Sequence, residues 1–348
     1  MLATGHLEHF KENLFFLTLL LLSFNSANGQ IFPDKSIHKI LKSGIDLIID
    51  QNYSEAEKLF IQLEKTRKDI PLGKIYIAAV HIAKAYDYQQ PYDDEIIKKN
   101  LNAAKKISER LIETDPANIW YNYYLALSNG YIAYYDALRE SWLQAFSTGL
   151  SSVSLFEDCL SIDKNFYEAY IAIGSYKFWR SKKTEFINWL PFIDDEKETG
   201  IKYLKNAVIH SGYNSHLAIH SLVWIYIEQE DYKEAIKVAE NALLKHPRSR
   251  IFKWGLARAY ENIDVNKSAE LYNEILESYP KHLKSNKINV VTLKHIIAQQ
   301  LIKSGKNDEA LQICNEILSI EAYTEFEQES LGNRLERVKE LKASLLKR

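Results

Sequence analysis

The side chains best placed to do chemistry are His210, His216 and His220. His216 and His220 stand four residues apart, so on one helix they share a face and could hold a transition metal through imidazole nitrogen. A tetrahedral site needs more ligands, and no carboxylate or third His sits at ligand spacing on that stretch. The plainer reading, surface or groove histidines, is therefore preferred, and no metal is expected. The triplets Asp93-Asp94-Glu95 and Asp194-Asp195-Glu196 each precede a helical pattern. Carboxylates there cap free N–H groups and favour the positive end of the helix dipole. No Gly-rich phosphate loop, HExxH pair or GxSxG elbow occurs. Without a nucleophile–base pair or a ligand set, neither an enzyme nor a cofactor is expected. Cys159 and Cys314 fall at apolar positions of helical patterns far apart in the chain. A disulfide needs Cα atoms within about 7 Å, so both are read as buried thiols.

What must position these side chains is a recurring helical hairpin. Between His216 and Pro247, Ile219, Leu222, Val223 and Tyr226 recur at helical spacing. After a turn at Glu230-Asp231-Tyr232, Ala235, Ala239 and Ala242 do the same. Small residues let two helices approach to about 8–10 Å, and Pro247 ends the second helix because it lacks an N–H. Leu256, Ala257 and Tyr260 with Ser268, Tyr272, Ile275 and Pro280 form a second unit. Ile297, Ala298 and Leu301, Gly305 in the turn, then Ala310, Cys314 and Ile317 form a third. Ile40, Gly44 and Leu47 pair with Tyr53, Ala56, Phe60 and Leu63. Ala104, Ser108, Leu111 and Pro116 read as a further second helix, and Tyr170, Ile173 and Gly174 are answered by Gly200, Leu204 and Ala207. Six or seven hairpins account for nearly the whole chain after its start. No run shows the period-2 alternation of a strand.

This unit resembles the tetratricopeptide repeat, whose period is about 34 residues. The resemblance implies an all-α fold, a TPR-like α-solenoid: a right-handed superhelix of antiparallel helix pairs with a C-terminal capping helix. Irregular long-helix repeats are expected over 30–212, regular repeats over 213–322, and the cap over 323–348, all in one elongated domain. From Tyr167 to Tyr260, the runs EAYIAIGSYKFW, NWLPFIDDEKETGIKYLKNA and FKWGLARAYE are similar to secreted bacterial TPR proteins of unassigned function. They are distantly similar to the TPR group that includes the inclusion-body clearance proteins. The family implies protein association with no cofactor.

The chain opens with Lys11 before an apolar run of about 11 residues, Leu14 to Phe24, and then Ala27-Asn28-Gly29. That is the pattern of a secretory signal peptide over 1–29, cleaved before Gln30. The run is too short for a bilayer, which takes about 20 apolar residues. The mature chain is expected to be periplasmic or extracellular, without a membrane-spanning segment. The hydrophobic share of 46% and charged share of 26% fit a globular chain. A net charge of -2 gives no footprint for nucleic acid.

Two regions break the plain repeat. Trp120 to Trp142 holds Tyr121, Tyr123, Tyr124, Tyr131, Tyr134 and Tyr135, and its helices are expected to run about two turns longer than the repeat. The aromatic rings either pack between long helices or line a wall for glycans or small hydrophobic ligands. Phe186 to Asp195, FINWLPFIDD, either folds back on the solenoid or meets a partner or membrane.

In TPR solenoids the groove is lined from repeat positions two, five, nine, twelve and thirteen. These fall on Leu217, His220, Trp224, Ile227 and Glu228; on Ile251, Trp254, Arg258, Glu261 and Asn262; and on Thr292, His295, Gln299, Ile302 and Lys303. His220, Trp224, Trp254, Arg258, His295 and Gln299 are the expected binding residues, with Trp224, Trp254 and Arg258 as anchors for an extended peptide, since Trp and Arg dominate hot spots. The Lys and Asn pattern that clamps a terminal carboxylate in chaperone-binding members is absent. A non-catalytic scaffold with a protein or peptide partner is the resulting expectation.

Overall fold

The computed structural model describes residues 30–185, 194–280 and 286–347. The signal-type segment over 1–29 and most of the 186–195 insertion fall outside them. The described residues form sixteen helices and no strand. Seven antiparallel pairs follow one another: α1 (Lys35–Ile49) with α2 (Tyr53–Thr66), α3 (Leu72–Tyr88) with α4 (Asp94–Thr114), and α5 (Ile119–Leu138) with α6 (Trp142–Ile162). Then come α7 (Ala169–Lys183) with α8 (Lys197–His210), α9 (Ser215–Glu228) with α10 (Tyr232–Lys245), α11 (Arg250–Tyr260) with α12 (Val265–Ser278), and α13 (Lys287–Lys303) with α14 (Asn307–Leu318). Each of these fourteen helices packs on the next in chain order, as a solenoid requires. None of the described helices is long and apolar enough to cross a membrane.

Local chemistry sets these boundaries. Asp93, Asp231 and Asp264 accept backbone N–H groups at the starts of α4, α10 and α12. Pro116, Pro247 and Pro280 follow within two residues of the ends of α4, α10 and α12. The turn inside a hairpin repeatedly uses one left-handed residue: Gln51, Glu140, Glu230 and, with φ of +81°, Gly305. In the fourth pair the helices touch backbone to backbone. A Cβ on Gly200 would stand 2.5 Å from the Gly174 carbonyl oxygen, so only glycine permits this crossing. The small residues expected at the other crossings, Ala104, Ala235 and Ala239, are fully buried.

The longer helices are where the sequence put them. α5 has 20 residues and α6 has 21, against 14 each in α9 and α10. Their rings are largely core. Tyr123, Tyr124 and Tyr135 are buried, and Trp120 meets Phe32, Tyr123 and Phe166 edge-on. Cys159 and Cys314 are free and buried. The carboxy-terminal cap differs from expectation. It is two helices, α15 (Glu325–Leu331) and α16 (Arg334–Leu346), broken at Gly332 with φ of +47°. A capping box between Thr324 and Glu327 starts the first.

One feature was invisible in the periodicity. Helices α1 to α3 lie against the links that join later hairpins. Tyr213 Oη accepts from the Phe32 amide and meets His38 Nδ1, both at 2.8 Å. His246 Nδ1 lies 3.2 Å from Asp50 Oδ1. Arg250 grips Asp87 with one guanidinium edge, Nε at 2.8 Å and Nη2 beside it, while Nη1 reaches Ser278. The Asp87 carbonyl accepts from Tyr279 Oη at 3.2 Å and Asn289 Nδ2 at 3.1 Å, and the Tyr88 carbonyl accepts from Asn286. The solenoid is thus fastened to its own beginning.

Candidate binding groove

The six expected binding residues do not form one site. His220 and Trp224 sit one turn apart on α9, and the indole Nε1 donates to His220 Nε2 at 3.0 Å. Because the indole N–H can only donate, that bond fixes His220 Nε2 as an acceptor and the ring as neutral. Among the described residues no three His, Cys, Asp or Glu side chains converge for a metal. Trp254 is half-buried and edge-on to Tyr272, with centroids 5.3 Å apart.

His295 requires a correction. It is 2% exposed, because α16 turns back across this face of α13 and brings Arg334 to 3.5 Å from its ring. Repeat register assigns groove positions as though the face stayed open, but the last hairpin is where a cap must land. Glu261 is buried too, accepting from Tyr272 Oη and Arg258 Nη1, each at 2.7 Å.

Between the sixth and seventh hairpins, several register positions share one cleft. Glu261, Gln299, Ile302 and Lys303 line one cleft of about 240 Å³ together with Gln300 and Leu341. Arg258, half exposed, reaches its rim through the ion pair to Glu261. Gln299 is exposed and free to face a ligand. The cleft joins a carboxylate, an ammonium, two amides and two aliphatic side chains, a mixture suited to a peptide backbone with varied side chains. Leu341 was missed from sequence because nothing in its amphipathic stretch says which face of the solenoid that helix covers.

Burial leaves three histidines reluctant to charge. It pulls His216 down to about 3, with His220 and His246 nearby, and His220 down to about 4. Burial, then Arg334 and Arg337, bring His295 to about 4. Unfolded, each ring takes a proton near pH 6.5. The folded state holds fewer protons between these values, so stability is complete above pH 6.5 and drains as pH falls. From pH 7 to pH 5 stability should fall by on the order of 2 kcal/mol per ring at most, and the melting temperature with it. Melting curves of the H216Q/H220Q pair should show a flatter acid limb; an unchanged limb contradicts the assignment.

The class of protein follows from these elements and from one comparison. A family model described as the tetratricopeptide repeat matches residues 253–282, which take in most of α11 and all of α12. With seven stacked hairpins around that matched repeat, the fold is an all-α, TPR-like solenoid.

Three solved structures are similar. A thermophilic TPR protein of Thermus thermophilus is 14% identical, over 64% of this chain and 97% of that one, with a TM-score of 0.40. The C-terminal part of a TPR repeat-containing protein of Cytophaga hutchinsonii is 16% identical, over 82% and 96%, at 0.42. The human IFIT1 dimer with m7Gppp-AAAA is 12% identical, over 84% and 65%, at 0.43. All three are loose likenesses, so the class stands on the hairpins and the repeat match. No curated protein matches the sequence, and the finer resemblance to the inclusion-body clearance group gains no support.

Proposed function

We propose that the chain is a non-catalytic scaffold that binds a protein or peptide partner in the cleft between α11, α13 and α16, on the exported side of the cell. The observation that carries this reading is the convergence of Glu261, Gln299, Ile302 and Lys303, four register-assigned groove positions, on one cleft. The signal-type segment over 1–29 supports export. The peptide reading is preferred to the aromatic wall because Tyr123, Tyr124 and Tyr135 are buried in the core, although Tyr134 and Trp142 face solvent.

Affinity capture from the exported fraction tests the proposal, with the Q299A/K303E variant beside the unaltered protein. These residues support little of the core, so the circular dichroism spectrum should be unchanged while the captured partner is lost. Equal capture by both proteins would remove the cleft as the binding site. Amino-terminal sequencing of the exported chain should read Gln30 first.

A further inference from the structure

Helix α6 is 21 residues long, whereas the next hairpin uses helices of 15 and 14 residues. At 1.5 Å per residue the surplus is about 10 Å of helix. The buried residues of α6, Ser152, Phe156 and Cys159, all lie in its carboxy-terminal half. The other half leaves an apolar stripe in solvent: Trp142 is 65% exposed, Leu143 91%, Phe146 68% and Leu150 37%. Positions 142, 146 and 150 are one helical turn apart, and Leu143 flanks them, so the four share a face. Exposed Ser147, Ser151 and Ser154 border it, and no charged residue occurs from Ser141 to Phe156.

We propose that this stripe is the surface through which two copies of the chain associate, α6 packing antiparallel on α6 about a two-fold axis. Area supports it. At roughly 200 Å² per large side chain, the four residues expose about 500 Å². A two-fold pair would bury about 1,000 Å² from them alone, the size at which a specific interface begins. The chemistry selects a second copy over other occupants. A two-fold axis lays an apolar stripe on its own image, and an uncharged face leaves no ion stranded in the contact. A charged peptide finds no counter-ion here. An anionic bilayer is disfavoured because the charged residues of α6 are Glu157 and Asp158, both acidic.

Sedimentation velocity of the full chain at micromolar concentration tests the proposal. The unaltered protein should sediment as a dimer that dissociates on dilution. L143E/F146E, at exposed positions, should keep the helical spectrum and weaken self-association by about a hundredfold or more. Because Cys159 and Cys314 are buried, a bismaleimide should cross-link the S147C variant into a covalent dimer but leave K339C monomeric. A monomer at every concentration overturns the proposal, as does a dimer indifferent to L143E/F146E. Vesicle binding by a protein that never self-associates would also overturn it.

Discussion

Arg250→Ala should cost about 3–5 kcal/mol, the largest loss expected from any single truncation in this chain. Arg250 and Asp87 have side chains only 6% and 12% exposed, and the guanidinium spans both carboxylate oxygens. It also lies 4.5 Å above the Tyr279 ring. Asp87 further accepts from Tyr53 Oη at 3.0 Å, so removing the cation strands a carboxylate that the surrounding packing cannot hydrate. Chemical denaturation measures the loss, and small-angle scattering should show α1 to α3 swinging away from the later hairpins. R250M/D87L should recover most of the stability, because two apolar side chains leave no charge buried. A loss below about 0.5 kcal/mol in R250A would show that the pair holds nothing together.

Glu168→Ala should follow closely, at about 4 kcal/mol, since each stranded buried donor costs about 1–3 kcal/mol. Glu168 is 4% exposed and carries the link between α8 and α9 almost alone. One oxygen accepts from Ser211 Oγ at 2.5 Å and the Tyr213 amide at 2.7 Å. The other accepts from the Asn214 amide at 3.3 Å and its Nδ2 at 2.8 Å. Asn214 Nδ2 passes the network on to Tyr123 at 3.0 Å. E168Q should restore only part of the loss, because the amide nitrogen cannot accept from the two donors it would face. Thermal melts of the two variants decide this, and equal stability of E168Q and the unaltered protein would show that the carboxylate is not required.

The hairpins were legible because helical packing is a local code. Gly174 with Gly200, and Leu222 and Tyr226 with Ala235, declare their crossings within one repeat. The long third hairpin was legible for the same reason. Arg250 and Asp87 were not, being 163 residues apart with nothing in their local spacing to join them. Glu168 opens the run EAYIAIGSYKFW and looks like an ordinary solvent-facing charge until the 211–214 link folds over it. At the candidate site, Gln299, Ile302 and Lys303 line one cleft as their register positions suggest, whereas His295 is buried. Register records which way a residue points on its own helix, and His295 was covered by chain arriving from elsewhere.

The fastening of α3 to the later hairpins reaches beyond stability. An open array can gain or lose a unit by unequal copying and still stack, because each unit answers only to its neighbours. Here, inserting or deleting one helix pair between Asp87 and Arg250 would carry the two partners past each other by a full step. The number of units in this chain is therefore counted by its own geometry, and its lineage can vary their surfaces but not their tally.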